Sequence, residues 1–434
     1  MVKQSEPKTA QVMIDFTQMK SFGRDPLIIE RGKGIRLWDV FGKEYIDGLS
    51  GVFTANLGHG IDALVDVAAE QGRKISFSPP TMATNPAALS LAELLVRITP
   101  EQYSTVKFYS GGSEATENAM KLARQYHLQR GNGRKTKIIS RYLAYHGGTG
   151  HSLAAGGHAE WKWRYEPLST GFIHVTPPAR PGCSACQRLG GCTLACADAV
   201  EEAILREGPQ TIAAIIAEPV MMSAGVHVPP PGYFARLREL CDQHDILLIH
   251  DEIITGFGRT GSLFASEWIG AWPDIICCGK GITAGYAALS ATILADKVAE
   301  PFWGEHEENI QYWGGHTYGG NPVACAVGKA AVEMLIDQDI IGNAERVGAY
   351  FNAGLEDLAE RLPGAKGVRG IGMLYAFVLE DHVGRAVHLA ARKRGLLFRP
   401  GPDFVVLAPP LTITEAEADE IIASLGEAVA EAAG

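Results

Sequence analysis

Residues 274–286 read DIICCGKGITAGY, an apolar run from Ile275 to Cys278 that passes straight into Gly279, Lys280 and Gly281. A short, uniformly apolar run closed by glycines is the signature of a strand buried on both faces, since a half-buried strand would alternate. A lysine at its end has two readings. It is a solvated charge in a strand-to-helix turn, as most lysines are, or it is a part-buried amine, neutral some of the time and able to attack a carbonyl held nearby.

Working outward, the same apolar pattern recurs in TVKFYS (105–110), TKIISR (136–141), TIAAIIAEPV (211–220) and DILLIHDEI (245–253), each followed by polar residues and separated by helical stretches. Strands alternating with helices predict an α/β fold with a mainly parallel sheet. Ligands of such sheets bind beyond the carboxyl ends of the strands, where this chain places Ser110 to Ser113, Glu218, Asp251 and Lys280. In YSGGSEATENAMKLARQYHLQRG (109–131), two glycines free the backbone and Ser113 is expected to cap a helix with apolar positions Ala115, Ala119, Leu122, Ala123 and Tyr126. Free amides at such a helix start would hold a phosphate. Asp251 ends an apolar strand, where a carboxylate needs a cation: a structural partner or a protonated ring nitrogen. Phosphate cup, buried acid and part-buried lysine together meet the needs of pyridoxal phosphate.

The 434 residues are 46% hydrophobic and 20% charged, enough for two domains. A net charge of -10 with dispersed signs argues against nucleic acid or an anionic membrane as partner. No apolar run approaches the ~20 residues that span a bilayer, so a cytoplasmic protein is expected. The eight cysteines read as reduced thiols; Cys183, Cys186, Cys192 and Cys196 cluster at a spacing unlike that of a common zinc finger, and no stoichiometric metal is expected.

From near residue 20 onward the chain resembles the class III, fold-type I pyridoxal-phosphate aminotransferases of the omega, or amine:pyruvate, type. YHGGT (145–149), IHDEIITGFGRTG (249–261), GKGITAGY (279–286) and HTYGGNPVACA (316–326) carry the resemblance. It implies a large domain with a seven-stranded, mainly parallel sheet (61–324) and a small α/β domain drawn from residues 1–60 and 325–434. It implies that Lys280 forms the Schiff base with the cofactor and Asp251 keeps the pyridine nitrogen protonated. Tyr145 and Ile253 then cover the two ring faces, and Gly112 and Ser113 bind the phosphate. Thr317 joins them from the neighbouring subunit of a homodimer or tetramer. His146 is expected to be structural. Phe53 is placed in the substrate pocket by its motif, with Trp38 and Trp163 as further aromatic candidates.

Two departures from the family pattern bear on substrate. Relatives that use 2-oxoglutarate carry an arginine shortly before PPLT that pairs with the acid at Glu218; here that place holds Val406, which leaves Glu218 without that partner. An apolar residue cannot anchor a second carboxylate, which favours pyruvate. Arg399, where pyruvate-dependent relatives carry a mobile arginine, is the candidate for the oxo-acid carboxylate, on an expected loop at the cavity mouth. Relatives often have proline where this chain has Ala287, which is expected to loosen the turn behind Lys280. An aminomutase or decarboxylase on the same scaffold would keep Lys280 and Asp251, and a 2-oxoglutarate-dependent aminotransferase is a further alternative. A DNA-binding regulator would need a basic module that the chain lacks.

Overall fold

The computed structural model describes residues 11–178 and 192–433. Three sheets organise the chain. The N-terminal one contains β1 (Ile29–Lys33), β2 (Arg36–Asp39) and β3 (Glu44–Asp47). The large one contains β4 (Tyr103–Tyr109), β5 (Lys137–Arg141), β6 (Phe172–Val175), β7 (Ile212–Ala217), β8 (Leu247–Asp251), β9 (Ile275–Cys278) and β10 (Ser290–Ala295). The C-terminal part supplies β11 (Ala365–Ile371), β12 (Leu374–Leu379), β13 (Leu396–Leu397), β14 (Arg399–Pro400) and β15 (Phe404–Leu407).

The large sheet has seven strands in the order β4-β10-β9-β8-β7-β5-β6, and only β10 runs antiparallel to its neighbours. Every residue of β7, β8, β9 and β10 is buried, because helices cover both faces. Ile216 and Ile249 point to one face, onto Ala115 and Ala119 of the helix Gly112–Gln129. Ile215 and Leu248, one residue earlier in each strand, point to the other, onto Val200, Ile204, Phe234 and Leu237. The period-two alternation of a strand thus serves two helix layers at once.

The chain ends come together through β13, which pairs in parallel with β3 at Leu396↔Ile46 and Leu397↔Asp47. The second small sheet has the order β11-β12-β15-β14. The last helix, Glu415–Ala433, starts with a reciprocal pair in which Thr414 N–H donates to the Glu417 carboxylate and Glu417 N–H to the Thr414 hydroxyl, at 2.9 and 3.3 Å. The division expected after residue 324 falls inside the helix Pro322–Asp337, which packs on the helices Asp62–Lys74 and Pro86–Arg97.

Arg259, of the GFGRTG stretch, is fully buried and joins these parts. Its guanidinium donates to the carbonyls of Met373 and Pro409 and to Ser50 Oγ and Asn56 Oδ1, at 2.6–3.0 Å. Among the described residues, no helix is long and apolar enough to cross a membrane, and no group of three metal-ligating side chains forms. Cys183 and Cys186 lie outside the described residues; Cys192 is exposed and Cys196 buried.

Candidate active site

The carboxyl ends of β5, β7, β8 and β9 and the turn after β4 meet at one rim, because these five strands run in one direction. A cavity of about 140 Å³ opens there. Gly112, Ser113, Tyr145, Glu218, Asp251, Ile253 and Lys280 line it, together with His146. Seven of the residues singled out in the sequence are therefore brought together.

Lys280 follows β9 with a φ of 45°, a left-handed conformation that turns its side chain back over the sheet end. Burial lowers its amine from the ordinary 10.5 to about 8; the attraction of Asp251 opposes this and Arg399 adds to it. The turn behind it is not loosened by Ala287: the Thr283 hydroxyl donates to Ala287 O at 2.6 Å and Tyr286 N–H to Thr283 O at 3.0 Å. Both bonds tie the turn back to Thr283, one through its hydroxyl and one through its carbonyl.

The buried amine has a measurable signature. Between about pH 8 and 10.5 the folded, cofactor-free protein binds fewer protons at Lys280 than the unfolded chain. Its stability therefore rises with pH across that window, by at most about 3 kcal/mol, and the cost is fully present below pH 8. The melting temperature of the wild type, minus that of Lys280→Met, is expected to climb from pH 8 to 10. A flat difference would remove the buried-amine reading.

Asp251 is 5% exposed. Its Oδ2 lies 2.8 Å from His146 Nδ1 and its Oδ1 accepts from Ile253 N–H at 3.2 Å. His146, fully enclosed with its Nε2 unpartnered among the described residues, is thus more than packing: it fixes the carboxylate that faces the cavity. The helix Gly112–Gln129 begins with Gly111 as N-cap, which corrects the expectation that Ser113 caps it. Ser113 sits in the first turn, and its Oγ accepts from Gly148 N–H at 3.0 Å while its carbonyl takes the hydroxyls of Thr149 and Ser152. These bonds bind the YHGGT loop to the cup. A Cβ on Gly112 would lie 2.9 Å from Ile253, so this bare backbone is what lets the Ile253 side chain reach the cup.

Glu218 is not left alone. Arg141, buried at the end of β5, approaches its Oε2 at 3.5 Å and donates to its carbonyl at 2.7 Å, and the Tyr145 N–H faces Oε1 at 3.4 Å. Burial still pushes the Glu218 carboxyl up to about 7. Arg399 is not on a loop: it forms β14 and stands directly across from Val406 of β15. Its Nη1 touches Met222 Sδ at 2.8 Å, and it makes no ion pair with an acidic side chain among the described residues.

The aromatic candidates divide. Phe53 is 1% exposed, and its ring centre lies 5.4 Å from Lys280 Nζ. Trp38 stays in β2 with the Arg31 guanidinium 3.8 Å over its ring, and Trp163 is 60% exposed with Arg164 over its ring; neither lines the cavity. The side chain that meets Tyr145 is Trp161, edge-on at 5.4 Å, with His158 stacked behind it at 4.1 Å and Phe16 beside it at 5.7 Å. Thr317 is exposed in the turn after His316 and does not enter this chain's cavity.

The sequence profile described as aminotransferase class-III matches residues 19–429. The chain belongs to the class III aminotransferases. This class III aminotransferase is similar to a probable aminotransferase of Mycobacterium tuberculosis, 37% identical over 95% of this chain and 91% of that one. It is also similar to an omega-aminotransferase of Caulobacter vibrioides, 32% identical over 94% and 95% of the two chains. The crystal structure of an (S)-enantioselective omega-transaminase from Thermomicrobium roseum superposes with a TM-score of 0.93 at 36% identity, covering 98% of this chain and 97% of that one. An amine transaminase from an uncultivated Pseudomonas, described in its pyridoxal-phosphate-bound form, does so at 0.92 and 35%, covering 99% and 100%.

Class III aminotransferases are enzymes that use pyridoxal phosphate. The residues of this cavity fit that group. Gly112 carries no side chain where one would strike Ile253, and a Cβ on Gly147 would lie 2.5 Å from Ser113 Oγ, so the cup is bare backbone at a helix start. The buried Asp251 is backed by His146, and the Lys280 amine is depressed into the range where its free base is populated.

Proposed function

We propose that the chain transfers an amino group from an amine or ω-amino donor to an oxo acid, with pyruvate as acceptor, alternating two half-reactions at this one site. The observation that carries the acceptor assignment is Arg399: a half-buried guanidinium that, among the described residues, is capped by a thioether and by no acid, beside a buried valine at the position where an arginine would anchor a second carboxylate. The omega-transaminases among the solved structures support the donor class.

Pyridoxal phosphate, when bound, supplies the electron sink for the bond broken at the amine-bearing carbon. Lys280 would hold its aldehyde and, once released, move the proton as general base. Asp251, steadied by His146, would keep the ring nitrogen protonated; Tyr145 and Ile253 would flank the ring. Gly112 and Ser113 would bind the phosphate, with the partner subunit completing the cup through its own copy of Thr317 in a cytoplasmic homodimer. A small domain drawn from both chain ends would close over this site. Glu218, paired to Arg141 from behind, offers a carboxylate no free cation on its side of the cavity, which leaves Arg399 to receive the acid.

Replacing Arg399 with alanine is expected to raise the KM values for pyruvate and alanine by a loss of about 2–4 kcal/mol in binding. The half-reaction with an amine that lacks a carboxylate should change little. Equal losses for both substrate types would take Arg399 out of the site.

A further inference from the structure

The turn that carries Phe53 is held in a conformation its residues do not favour. Ser50, Gly51 and Phe53 have φ of 52°, 66° and 60°, and only glycine takes such values without strain. Ser50 and Phe53 are buried while Val52 between them is 62% exposed, so the turn folds inward at both ends and bulges out at its middle. Fixed contacts must offset the strain. On the inner side, Ser50 Oγ donates to Ala408 O at 2.8 Å and accepts from Arg259 Nη2 at 2.9 Å.

On the outer side a single carboxylate gathers the donors. Asp47, 2% exposed, accepts from Leu49 N–H at 3.1 Å, from Gly51 N–H at 2.8 Å, and meets His59 Nε2 at 2.8 Å. What it holds in place matters to the site. The Phe53 ring lies 5.4 Å from Lys280 Nζ and packs with Val220 and Ile254, which line the cavity, and with Met222, on which Arg399 rests.

We infer that Asp47 is a positioning residue for this pocket wall: by gathering the amides of Leu49 and Gly51 and the ring of His59, it keeps Phe53 over Lys280 and fixes the size of amine substituent the site admits. The inference rests on the reading of the cavity as an amine-donor site. An asparagine at 47 carries an amide group in place of one accepting oxygen: at the Oδ2 position that group meets Gly51 N–H as a second donor, and at the Oδ1 position it meets the N–H groups of Leu49 and Gly51, so the clasp on the turn loosens in either setting.

The test uses the cofactor-loaded protein and two readouts. In Asp47→Asn, amide hydrogen exchange across residues 49–54 is expected to quicken by about tenfold or more while the large sheet keeps its protection. The ratio of kcat/KM for a bulky arylalkylamine over a small alkylamine is expected to rise by about tenfold, Phe53→Ala should raise it as much, and the double variant should add nothing further. Faster exchange with an unchanged ratio, or a rise that adds in full to that of Phe53→Ala, would overturn the assignment. Should Asp47→Asn not fold, His59→Ala removes only the outermost contact and is expected to shift both readouts the same way by less; no shift in either also overturns it. If the unaltered chain moves no amino group from any amine, the proposed function has failed, and the exchange readout alone decides whether Asp47 holds the turn.

Discussion

Lys280→Ala is expected to lower amino-group transfer by on the order of 10⁴-fold. Two losses combine in this variant. The amine proposed to link covalently to the cofactor is gone, and so is a cavity base on a long unbranched side chain whose titration is brought down to about 8. Glu218 titrates near 7 but is held from behind by Arg141 and from the side by the Tyr145 amide, so it does not replace a mobile lysine. The variant should still fold, since removing a buried amine relieves a desolvation cost. Absorption spectra should show cofactor retained by the cup and by Asp251 but unlinked. Turnover of amine and pyruvate at the wild-type rate, with the cofactor unlinked, would remove Lys280 from the chemistry.

Asp251→Asn is the second large effect, a fall on the order of 10³-fold in the rate at which the proton leaves the amine-bearing carbon. An amide matches the carboxylate in shape, so packing against His146 and the Ile253 N–H survives in part. What disappears is the negative charge. A neutral side chain does not keep a ring nitrogen protonated in a buried site, and the electron sink is lost with that proton. Single-turnover measurements with a deuterated amine would report this step directly. The isotope effect should grow in Asp251→Asn as proton removal becomes rate-limiting, and a wild-type rate would show that the charge is not needed.

The parts of this site that were legible in the sequence are those fixed by local pattern. Lys280 and Asp251 each end an uninterrupted apolar strand, and such strands in a parallel sheet can deliver their next residue only to the shared rim. The parts that were not legible depend on distant segments. Arg141 meets Glu218 across two neighbouring strands separated by dozens of residues in sequence, and nothing near either residue announces the pair. Trp161, Trp163 and Trp38 look alike by composition; only the path of the short helices around 159–165 turns Trp161 toward Tyr145 and Trp163 away, while Trp38 stays in β2. β6 is four residues with a histidine inside it, and β10 sits among small residues, so neither stood out by periodicity. The helix start slipped by two residues because Ser113 is a good cap by chemistry, whereas an extended Gly111 takes the position by backbone geometry.

The pairing of Arg399 with Val406 has a consequence for how such a chain can change over evolutionary time. Residues directly opposed on antiparallel strands project from the same face, so the two positions are neighbouring mounting points for one guanidinium. Moving the charge from the edge strand to its inner neighbour would take two substitutions, neither of them among the residues that line the cavity. On the role proposed for Arg399, a lineage would thus trade one oxo acid for another by a short mutational path, because the sheet register has already placed the old and the new anchor side by side.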